Sequence, residues 1–400
     1  MESQISNYNI KHPYICISFL LITILYELSP TIGAYVSPIM RIGLIMAWYL
    51  FILVFERDSY FPTSLAIFLL LWWCFELLYL FLGISSSPIG NYYLTFCFYD
   101  TVIKSVFVYY NFNANEKRIV FYIIYISIII TIVECLLKYY IYGDELLFYL
   151  RNRGTLDAEN PLFSFVSTDF YNALVFFIGS LFFVYRINPS IILKILSIVG
   201  ISMAYTFMFT IETRTTSLTC SVLLLILVYY KTNKSMTASF LLLSGLLIIF
   251  MSYTLWLPWL IDIVPERVSV RLSAMINPQN DDEGYLSRFE LMKVDINTFF
   301  GSISNFLFGV GDHRGHDYWG LIGQHSYILD TLARYGCLGI VYLTIFFKKT
   351  YYCFVKPLET VFNRQFAIVC FLIFFFLSVN SVAFDVTIGI TLFLLLSTII

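Results

Sequence analysis

Apolar runs long enough to cross a lipid bilayer recur along the whole of this sequence. A run of about 18 residues or more spans the hydrocarbon core, about 30 Å thick, as a helix. Only helices and closed barrels satisfy every backbone hydrogen bond in lipid, and the sequence lacks the alternating strands of a barrel. Charged residues make up 12% of the chain, against about a quarter in soluble domains. The sequence therefore predicts an all-α polytopic integral membrane protein.

We predict about 12 transmembrane helices in a single membrane domain. Residues 1–257 hold helices 1–9, residues 258–325 form one long loop, and residues 326–400 hold helices 10–12. The first apolar run lacks the small-residue cleavage site of a signal peptide, so it is interpreted as the first span. The predicted spans cover residues 14–28, 32–55, 63–82, 92–110, 119–141, 162–185, 191–210, 216–230, 238–257, 326–347, 366–382 and 385–400.

Lysine and arginine concentrate in alternate short loops, and loops rich in these residues stay in the cytoplasm. With the N-terminus inside, the short outer loops hold only Arg151, Arg153 and Arg214. Both termini are therefore predicted to be cytoplasmic, and the long loop is predicted to lie outside. The cytoplasmic segments hold Lys11, Arg57, Lys117, Arg118, Arg186, Lys194, Lys231, Lys234, Lys348, Lys349, Lys356 and Arg364.

The interval from Leu255 to Leu343 contains the long outer loop and three of the four histidines. Within it, Ser287 and Glu290 have the spacing of a capping box, which predicts the start of a helix. The apolar residues that follow have helical spacing, which predicts an amphipathic helix lying on the membrane surface. These apolar residues are Phe289, Met292, Ile296, Phe299 and Phe300. Residues 309–311, Gly-Val-Gly, are predicted to form a tight turn.

Several charged residues fall inside predicted spans, where each one costs a few kcal/mol. Asp100 and Lys104 stand four residues apart, and this spacing predicts an ion pair on one helix. Five others lie toward the outer halves of their spans and indicate either an outward-facing polar cavity or a set of buried structural pairs. These five are Arg41, Glu76, Glu134, Asp169 and Arg334.

Three further residues are candidates for chemistry. Arg214 occupies a minimal outer turn, and Arg288 lies at a predicted helix start, where backbone N–H groups also favour an anion. A guanidinium is always charged and binds phosphate in a bidentate manner, although each arginine also has a purely structural interpretation. His325 immediately precedes a span, where a histidine acts as a general base or as a hydrogen-bond donor.

A metal site is a weaker interpretation of the long loop. His313 and His316, with Asp312 and Asp317, provide ligand types that bind metals, but their spacing matches no closed site. A solvated loop is the better interpretation of these residues. None of the eight cysteines forms a C-x-x-C pair, and packing of cysteines within helices is expected instead.

In their order, these motifs resemble the superfamily of O-antigen polymerases and O-antigen ligases. The resemblance is carried by Arg214–Ser217 in an outer turn, by Arg288 at the head of a loop helix, and by the Gly-Val-Gly turn. It continues through residues 325–339, H-S-Y-I-L-D-T-L-A-R-Y-G-C-L-G, which lead into the next span. Members of the family often have His-Asn where this chain has His325-Ser326, and often an acidic residue at the position of Arg334.

The resemblance implies a GT-C-like glycosyltransferase of the bacterial inner membrane with its active site at the periplasmic face. The implied donor is a glycan on undecaprenyl pyrophosphate, transferred with inversion. His325, Arg288 and Arg214 are the implied catalytic residues, and the two arginines also bind the pyrophosphate. Tyr327, Arg334 and Arg41 are further candidates for pyrophosphate or glycan contacts. No cofactor or metal is expected, because no D-x-D motif of nucleotide-sugar enzymes is present.

Polymerase and ligase differ in the acceptor. A polymerase transfers the glycan to the next lipid-linked repeat unit, and a ligase transfers it to lipid A–core. We favour the polymerase, because such chains are typically this rich in Ile, Phe and Tyr. A chain-length regulator is a candidate partner, and nucleic acid is not. A lipid-linked oligosaccharide flippase or transporter is an alternative of another class, but transporters usually contain paired repeats that are not evident here.

Overall fold

A computed structural model describes residues 10–86, 89–151, 165–166, 168–210, 215–232, 285–312, 322, 326–380 and 384–399. Every regular element in these ranges is helical, which confirms the all-α prediction for this part of the chain. Seven of the described helices are long and apolar enough to cross a membrane, and three shorter apolar ones accompany them. The protein is therefore a membrane-embedded helical protein. The total number of spans stays a prediction.

The described helices are numbered here in chain order. They are α1 (Pro13–Leu28), α2 (Pro30–Tyr35), α3 (Pro38–Phe55), α4 (Thr63–Phe81), α5 (Ile89–Asn111), α6 (Ala114–Arg151), α7 (Thr168–Ile187), α8 (Ile191–Thr210), α9 (Thr215–Thr232), α10 (Tyr285–Phe300), α11 (Ile303–Phe308), α12 (Tyr327–Phe354), α13 (Val361–Asn380) and α14 (Val386–Ile399). Glycines with positive φ interrupt α6 at Gly143 and α12 at Gly336.

Most predicted spans coincide with one helix each, but the predicted span 32–55 is divided between α2 and α3. The Ser37 hydroxyl accepts a hydrogen bond from the Met40 N–H at 3.3 Å and so caps the start of α3. Pro38 reinforces this break, because its ring favours the first helical position and holds the preceding residue in an extended conformation. The predicted span 238–257 lies outside the described residues.

Large apolar side chains are exposed on many of the described helices. Ile39 in α3 is 82% exposed, and Ile191 in α8 is 72% exposed. In water such surfaces would drive aggregation, whereas lipid tails are as apolar as these side chains. The exposed apolar faces therefore fit a surrounding of lipid.

The described residues divide into two units. The first unit comprises Met1–Cys74, Ile89–Phe207 and Phe384–Ile400. At its centre, a π-helical segment within α14, Gly389–Leu394, packs against α5 and α7. Gly389 permits this approach, because a Cβ there would lie 3.1 Å from the Thr101 Cγ2 atom. The Phe98 ring fills the space beside it, 4.8 Å from the Phe384 ring centroid.

Three ion pairs in the described part of the first unit join charges that lie inside predicted spans. Lys104 contacts Asp100 at 2.6 Å, which confirms the predicted pair. Arg41 contacts Glu27 at 3.3 Å. Glu134 pairs with Lys138 at 2.8 Å and accepts a hydrogen bond from the Ser29 hydroxyl at 2.9 Å. For Arg41 and Glu134, these contacts favour the interpretation as buried structural pairs over the interpretation as a polar cavity.

The second unit comprises Phe75–Pro88 and Met208–Ala383. Its described part contains α9 and α13, which pack against each other, and α10 and α11, which pack against α12. The helices α10 and α11 belong to the predicted long loop, and α12 is the span that follows it. The second unit therefore joins the loop to a membrane helix.

Candidate functional site

The loop helix α10 begins at Tyr285, two residues before the predicted cap at Ser287. Its buried face includes Asp295, which is 1% exposed, and Phe299, which is 6% exposed. Ile296 and Phe300, which were predicted to belong to the apolar face, are 44% and 69% exposed. One face of α10 thus packs against protein, and a second, apolar face remains open. An open apolar face outside the spans is typical of helices that lie on a membrane surface.

The helix that receives α10 is broken one-third of the way along its length. Gly336 in α12 has φ 57° and ψ −139°, a conformation that side chains other than hydrogen strongly disfavour. This break opens two carbonyl groups of α12 to donors from elsewhere. Val310 N–H donates to the Ala333 carbonyl at 3.0 Å, and Gly311 N–H donates to the Arg334 carbonyl at 2.9 Å.

The predicted tight turn at residues 309–311 is confirmed, and it supplies these donors. Gly309 and Gly311 have φ values of 72° and 82°. A Cβ at Gly309 would lie 2.1 Å from the Arg334 carbonyl oxygen, and a Cβ at Gly311 would lie 2.3 Å from the Ile84 carbonyl oxygen. Both glycines are required because the turn lies directly against backbone.

Asp312 follows the turn and is attached to the end of α4 and the residues after it. Its carbonyl accepts hydrogen bonds from Ser86 N–H at 2.9 Å and from the Ser85 hydroxyl at 3.1 Å. The Asp312 N–H donates to the Ser85 hydroxyl. The Tyr79 hydroxyl donates to the Phe308 carbonyl at 2.8 Å. These bonds hold the Asp312 carboxylate at a defined position inside the second unit.

A buried charged cluster occupies the centre of this arrangement and consists of Asp295, Asp312, Asp330 and Arg334. The Arg334 guanidinium lies 3.4 Å from the Asp330 carboxylate and 3.7 Å from that of Asp312. All four side chains are almost inaccessible to solvent. Within these four residues, one cation lies among three carboxyl groups.

Asp295 is the carboxyl group that has no cation within ion-pair distance among the described residues. Neither of its carboxyl oxygens receives a hydrogen bond there, and the neighbouring acceptor is the Asp330 carboxyl group. Burial raises the pKa of Asp295 to about 9, and the negative charge of Asp330 acts in the same direction. Both effects favour the protonated form of Asp295, and in that form it can donate a hydrogen bond to Asp330.

The three predicted catalytic residues are described to different extents. Arg214 and His325 lie outside the described residues. The backbone of Arg288 lies in the first turn of α10. Position 288 precedes Asp295 by two helical turns and therefore lies on the same face of the helix. Ser326, the residue after His325, caps α12 by accepting a hydrogen bond from the Leu329 N–H at 3.2 Å.

The other predicted contacts are buried or half-buried, and they are bonded to protein groups. Arg334 belongs to the charged cluster, where an incoming anion would compete with two carboxylates for its guanidinium. The Tyr327 hydroxyl lies 3.3 Å from the Tyr342 hydroxyl. Arg41, in the first unit, donates to the Gly33 carbonyl at 2.7 Å and lies over the Tyr26 ring. Their roles in substrate binding stay predictions.

Asp295 was not predicted as a functional residue, although the sequence contains a signal for it. It stands three residues after Met292 and four before Phe299, in the line of the buried face. A carboxyl group at such a position is costly unless it is neutral or paired. Of the proposed metal ligands, His313, His316 and Asp317 lie outside the described residues.

Comparison with known proteins adds no family assignment. No protein-family model and no curated protein matches the sequence of this chain. Any assignment of function therefore depends on the motifs of the chain and on the arrangement of the second unit.

Proposed function

We propose that this chain is an O-antigen polymerase, or a polymerase of a related surface polysaccharide, working at the periplasmic face of the bacterial inner membrane. In this proposal it has about 12 spans and a GT-C-like fold. It transfers a glycan from undecaprenyl pyrophosphate to the next lipid-linked repeat unit. The observation that carries the proposal is the packing of α10, which contains Arg288, against α12, which follows His325 in the chain.

This packing supports the proposal because one of the two helices carries a predicted phosphate-binding position and the other directly follows a predicted proton acceptor. Asp295 of α10 lies beside Asp330, in the first turn of α12. Arg288 lies on the same face as Asp295, two turns nearer the helix start, and His325 lies one residue before the cap of α12. The first backbone N–H groups of a helix have no partner within the helix, so the start of α10 favours a phosphate.

The proposed reaction is a direct displacement at the anomeric carbon. The acceptor hydroxyl oxygen attacks this carbon, and His325 takes the hydroxyl proton. The bond between the anomeric carbon and the pyrophosphate oxygen breaks, and the configuration of the carbon inverts. Arg288 and Arg214 stabilise the negative charge that develops on the departing undecaprenyl pyrophosphate. Tyr327, Arg334 and Arg41 are retained as candidate contacts to the pyrophosphate or the glycan.

The departure from the family pattern at Ser326 does not weaken this proposal. Asn and Ser are both preferred at helix N-caps, because their side chains accept a hydrogen bond from the first turn. Ser326 makes that bond here. The serine thus performs at the start of α12 the capping role for which an asparagine is equally suited.

Replacement of the proposed catalytic residues is expected to abolish polymer formation. A strain deleted for this gene should carry a single repeat unit on lipid A–core, seen by gel electrophoresis of its glycans. Arg288→Ala, Arg214→Ala and His325→Ala should each fail to restore the polymer, with a loss of about 100-fold or more for removal of one electrostatic contact. Lys293→Ala is the matched control, because Lys293 is an exposed cation on the same helix as Arg288.

The alternatives give different gels from the same strains. Polymer that remains on undecaprenyl pyrophosphate, with bare core, would identify a ligase. An unchanged glycan pattern in the deletion strain would contradict the glycosyltransferase proposal and favour the transporter. Full restoration by all three alanine variants, at equal protein levels, would contradict the proposed residues while leaving the reaction class intact.

A further inference from the structure

A cavity of about 350 Å³ lies in the first unit, where the ends of several helices meet. Its lining residues come from the segment that joins α5 to α6, from the end of α7 and the start of α8, and from the last residues of α14. The sequence predicts that all of these helix ends lie on the cytoplasmic side, because basic residues concentrate there. The cavity therefore falls at the predicted boundary between membrane and cytoplasm.

The walls of the cavity are largely apolar. Phe121 of α6, Phe183 of α7 and Leu193 of α8 are buried side chains that line it, and Ile399 of α14 lines it as well. Such walls offer water few hydrogen-bond partners, and a buried water molecule needs two to four of them. An acyl chain of a lipid needs none. The walls therefore suit an acyl chain better than water.

Two basic side chains, Lys117 and Arg118, line the same cavity. The Lys117 Nζ atom lies 4.6 Å from the centroid of the Tyr109 ring, a contact that holds the ammonium group without neutralising its charge. Arg118 is exposed. Among the described residues, neither cation has an acidic side chain within ion-pair distance. The pair is therefore available to an anionic ligand.

The acid that directly precedes these cations, Glu116, is bonded to the start of α6. Its carboxylate accepts a hydrogen bond from the Asn113 N–H at 2.9 Å, and the Asn113 side-chain oxygen accepts from the Glu116 N–H at 3.1 Å. This reciprocal capping satisfies backbone donors at the start of the helix. The attraction for an anion thus comes from the two basic side chains and not from the helix start.

The other elements around the cavity add a neutral donor and no acid. The side-chain oxygen of Asn188, a lining residue, accepts a hydrogen bond from the Ser190 N–H at 3.0 Å. The Asn188 amide nitrogen is then left as a donor on this side of the cavity. Residues 183–193 and 386–399 include no Asp or Glu, and the charged residues among them are Arg186 alone. The charge facing a ligand is therefore positive.

We propose that this cavity binds an anionic phospholipid, with the phosphate group against Lys117 and Arg118 and part of an acyl chain along the apolar walls. A guanidinium binds phosphate in a bidentate manner, and an ammonium group acts as a point charge beside it. Basic pockets between membrane helices on the cytoplasmic side suit anionic headgroups. A free phosphate ion would gain nothing from the apolar walls. The site belongs to the first unit, so it does not rest on the proposed function.

Native mass spectrometry of the delipidated protein in a neutral detergent tests this site. The probes are dioleoylphosphatidylglycerol, which is anionic, and dioleoylphosphatidylcholine, which has the same chains and a zwitterionic headgroup. Each cation near a membrane surface strengthens binding of an anionic lipid about fivefold. We expect the Kd of the first bound phosphatidylglycerol to be lower than that of phosphatidylcholine by about tenfold or more. Inorganic phosphate in excess should not displace the bound lipid.

The double substitution Lys117→Gln and Arg118→Gln should raise the Kd for phosphatidylglycerol about 25-fold. Glutamine has nearly the same helix propensity as the residues it replaces. The matched control is Lys348→Gln with Lys356→Gln, which removes two exposed cations that do not line the cavity. Lys356 lies 4.5 Å from the Tyr352 ring centroid and so resembles Lys117 in its contact. The control should bind the lipid as the wild type does.

Ala114→Trp tests the shape of the site and leaves both cations in place. Ala114 is exposed and lines the cavity, so an indole ring at this position takes up space that the lipid would need. The variant should bind phosphatidylglycerol more weakly than the wild type. It also decides the question if the double glutamine variant does not elute as a folded species, because unchanged binding by a folded Ala114→Trp variant would overturn the proposal.

The remaining outcomes are equally decisive. Equal affinity of the wild type for the two lipids, or binding of neither, would overturn the proposal. An unchanged Kd in the folded double glutamine variant would do the same, because the two cations would then have no part in binding. Displacement of the lipid by inorganic phosphate would identify a site for small anions and would contradict the assignment to a phospholipid.

Discussion

Replacing Gly336 with alanine is expected to lower the apparent Tm of the purified protein by about 5 °C or more. The backbone conformation of Gly336 costs any side chain about 1–3 kcal/mol. A Cβ would also lie 2.6 Å from the Phe306 carbonyl oxygen, 2.7 Å from the Leu307 carbonyl carbon and 2.8 Å from the Asn305 carbonyl oxygen. All three neighbours are backbone atoms, so no side-chain rotation relieves the contact.

Gly43→Ala is the matched control for this substitution. Gly43 lies within α3, and a Cβ there meets no atom within 4 Å. Alanine is also favoured over glycine in a helix interior by about 0.5–1 kcal/mol. The Gly43 variant should therefore unfold at or above the wild-type temperature, measured by size-exclusion chromatography after heating. Equal Tm values for the two variants would contradict the close approach of α11 to α12.

Replacing Arg334 with methionine is expected to destabilise the second unit by about 3–5 kcal/mol, the usual cost of removing one partner from a buried ion pair. The substitution would remove the guanidinium that contacts the buried carboxylates of Asp312 and Asp330. Lys293→Met removes an exposed cation from the same unit and should change stability by less than about 0.5 kcal/mol. If Arg334→Met were as stable as Lys293→Met, this result would contradict the stabilising role of the ion pairs of Arg334.

A second substitution tests whether charge is the cause. Asp312→Asn in the Arg334→Met background removes one of the two carboxylates that contact Arg334 in the wild type, and it should recover part of the lost stability. Asp312→Asn alone should be destabilising, because it leaves an amide against the guanidinium in place of a carboxylate. The double-mutant cycle therefore predicts a coupling energy of about 1 kcal/mol or more between these residues, measured from the apparent Tm values.

Sequence periodicity was sufficient to place most of the helices. The predicted span at 326–347 begins within one residue of the start of α12, and the predicted loop helix corresponds to α10. Both could be predicted because the spacing of apolar residues within one segment is enough to indicate a helix. The interruption at 36–37 was missed although Ser37 and Pro38 signal it, because the hydropathy of the surrounding run is high on both sides. At this point the capping by Ser37 and the backbone restriction by Pro38 end one helix and start the next, although the run is apolar throughout.

Only part of the candidate site could be predicted from the sequence. The glycines at 309 and 311 predicted a turn, but not that its N–H groups would bond to carbonyls of α12. The need for glycine at position 336 also depends on a second segment, because the backbone of Phe306 and Leu307 leaves no space for a side chain there. Asp295 gains its significance from Asp330, 35 residues later in the sequence, and no local pattern encodes that contact.

In the proposed function, the chain links lipid-borne repeat units without a nucleotide sugar. The most direct measurement incubates the purified protein with the lipid-linked repeat unit extracted from the deletion strain, in a metal chelator, and analyses the products by gel electrophoresis. We predict a ladder of oligomers with one undecaprenyl pyrophosphate released per linkage, retained by Lys293→Ala and lost by Arg288→Ala. Recovery of only unchanged repeat unit, from wild-type protein that elutes as a folded species, would contradict the account.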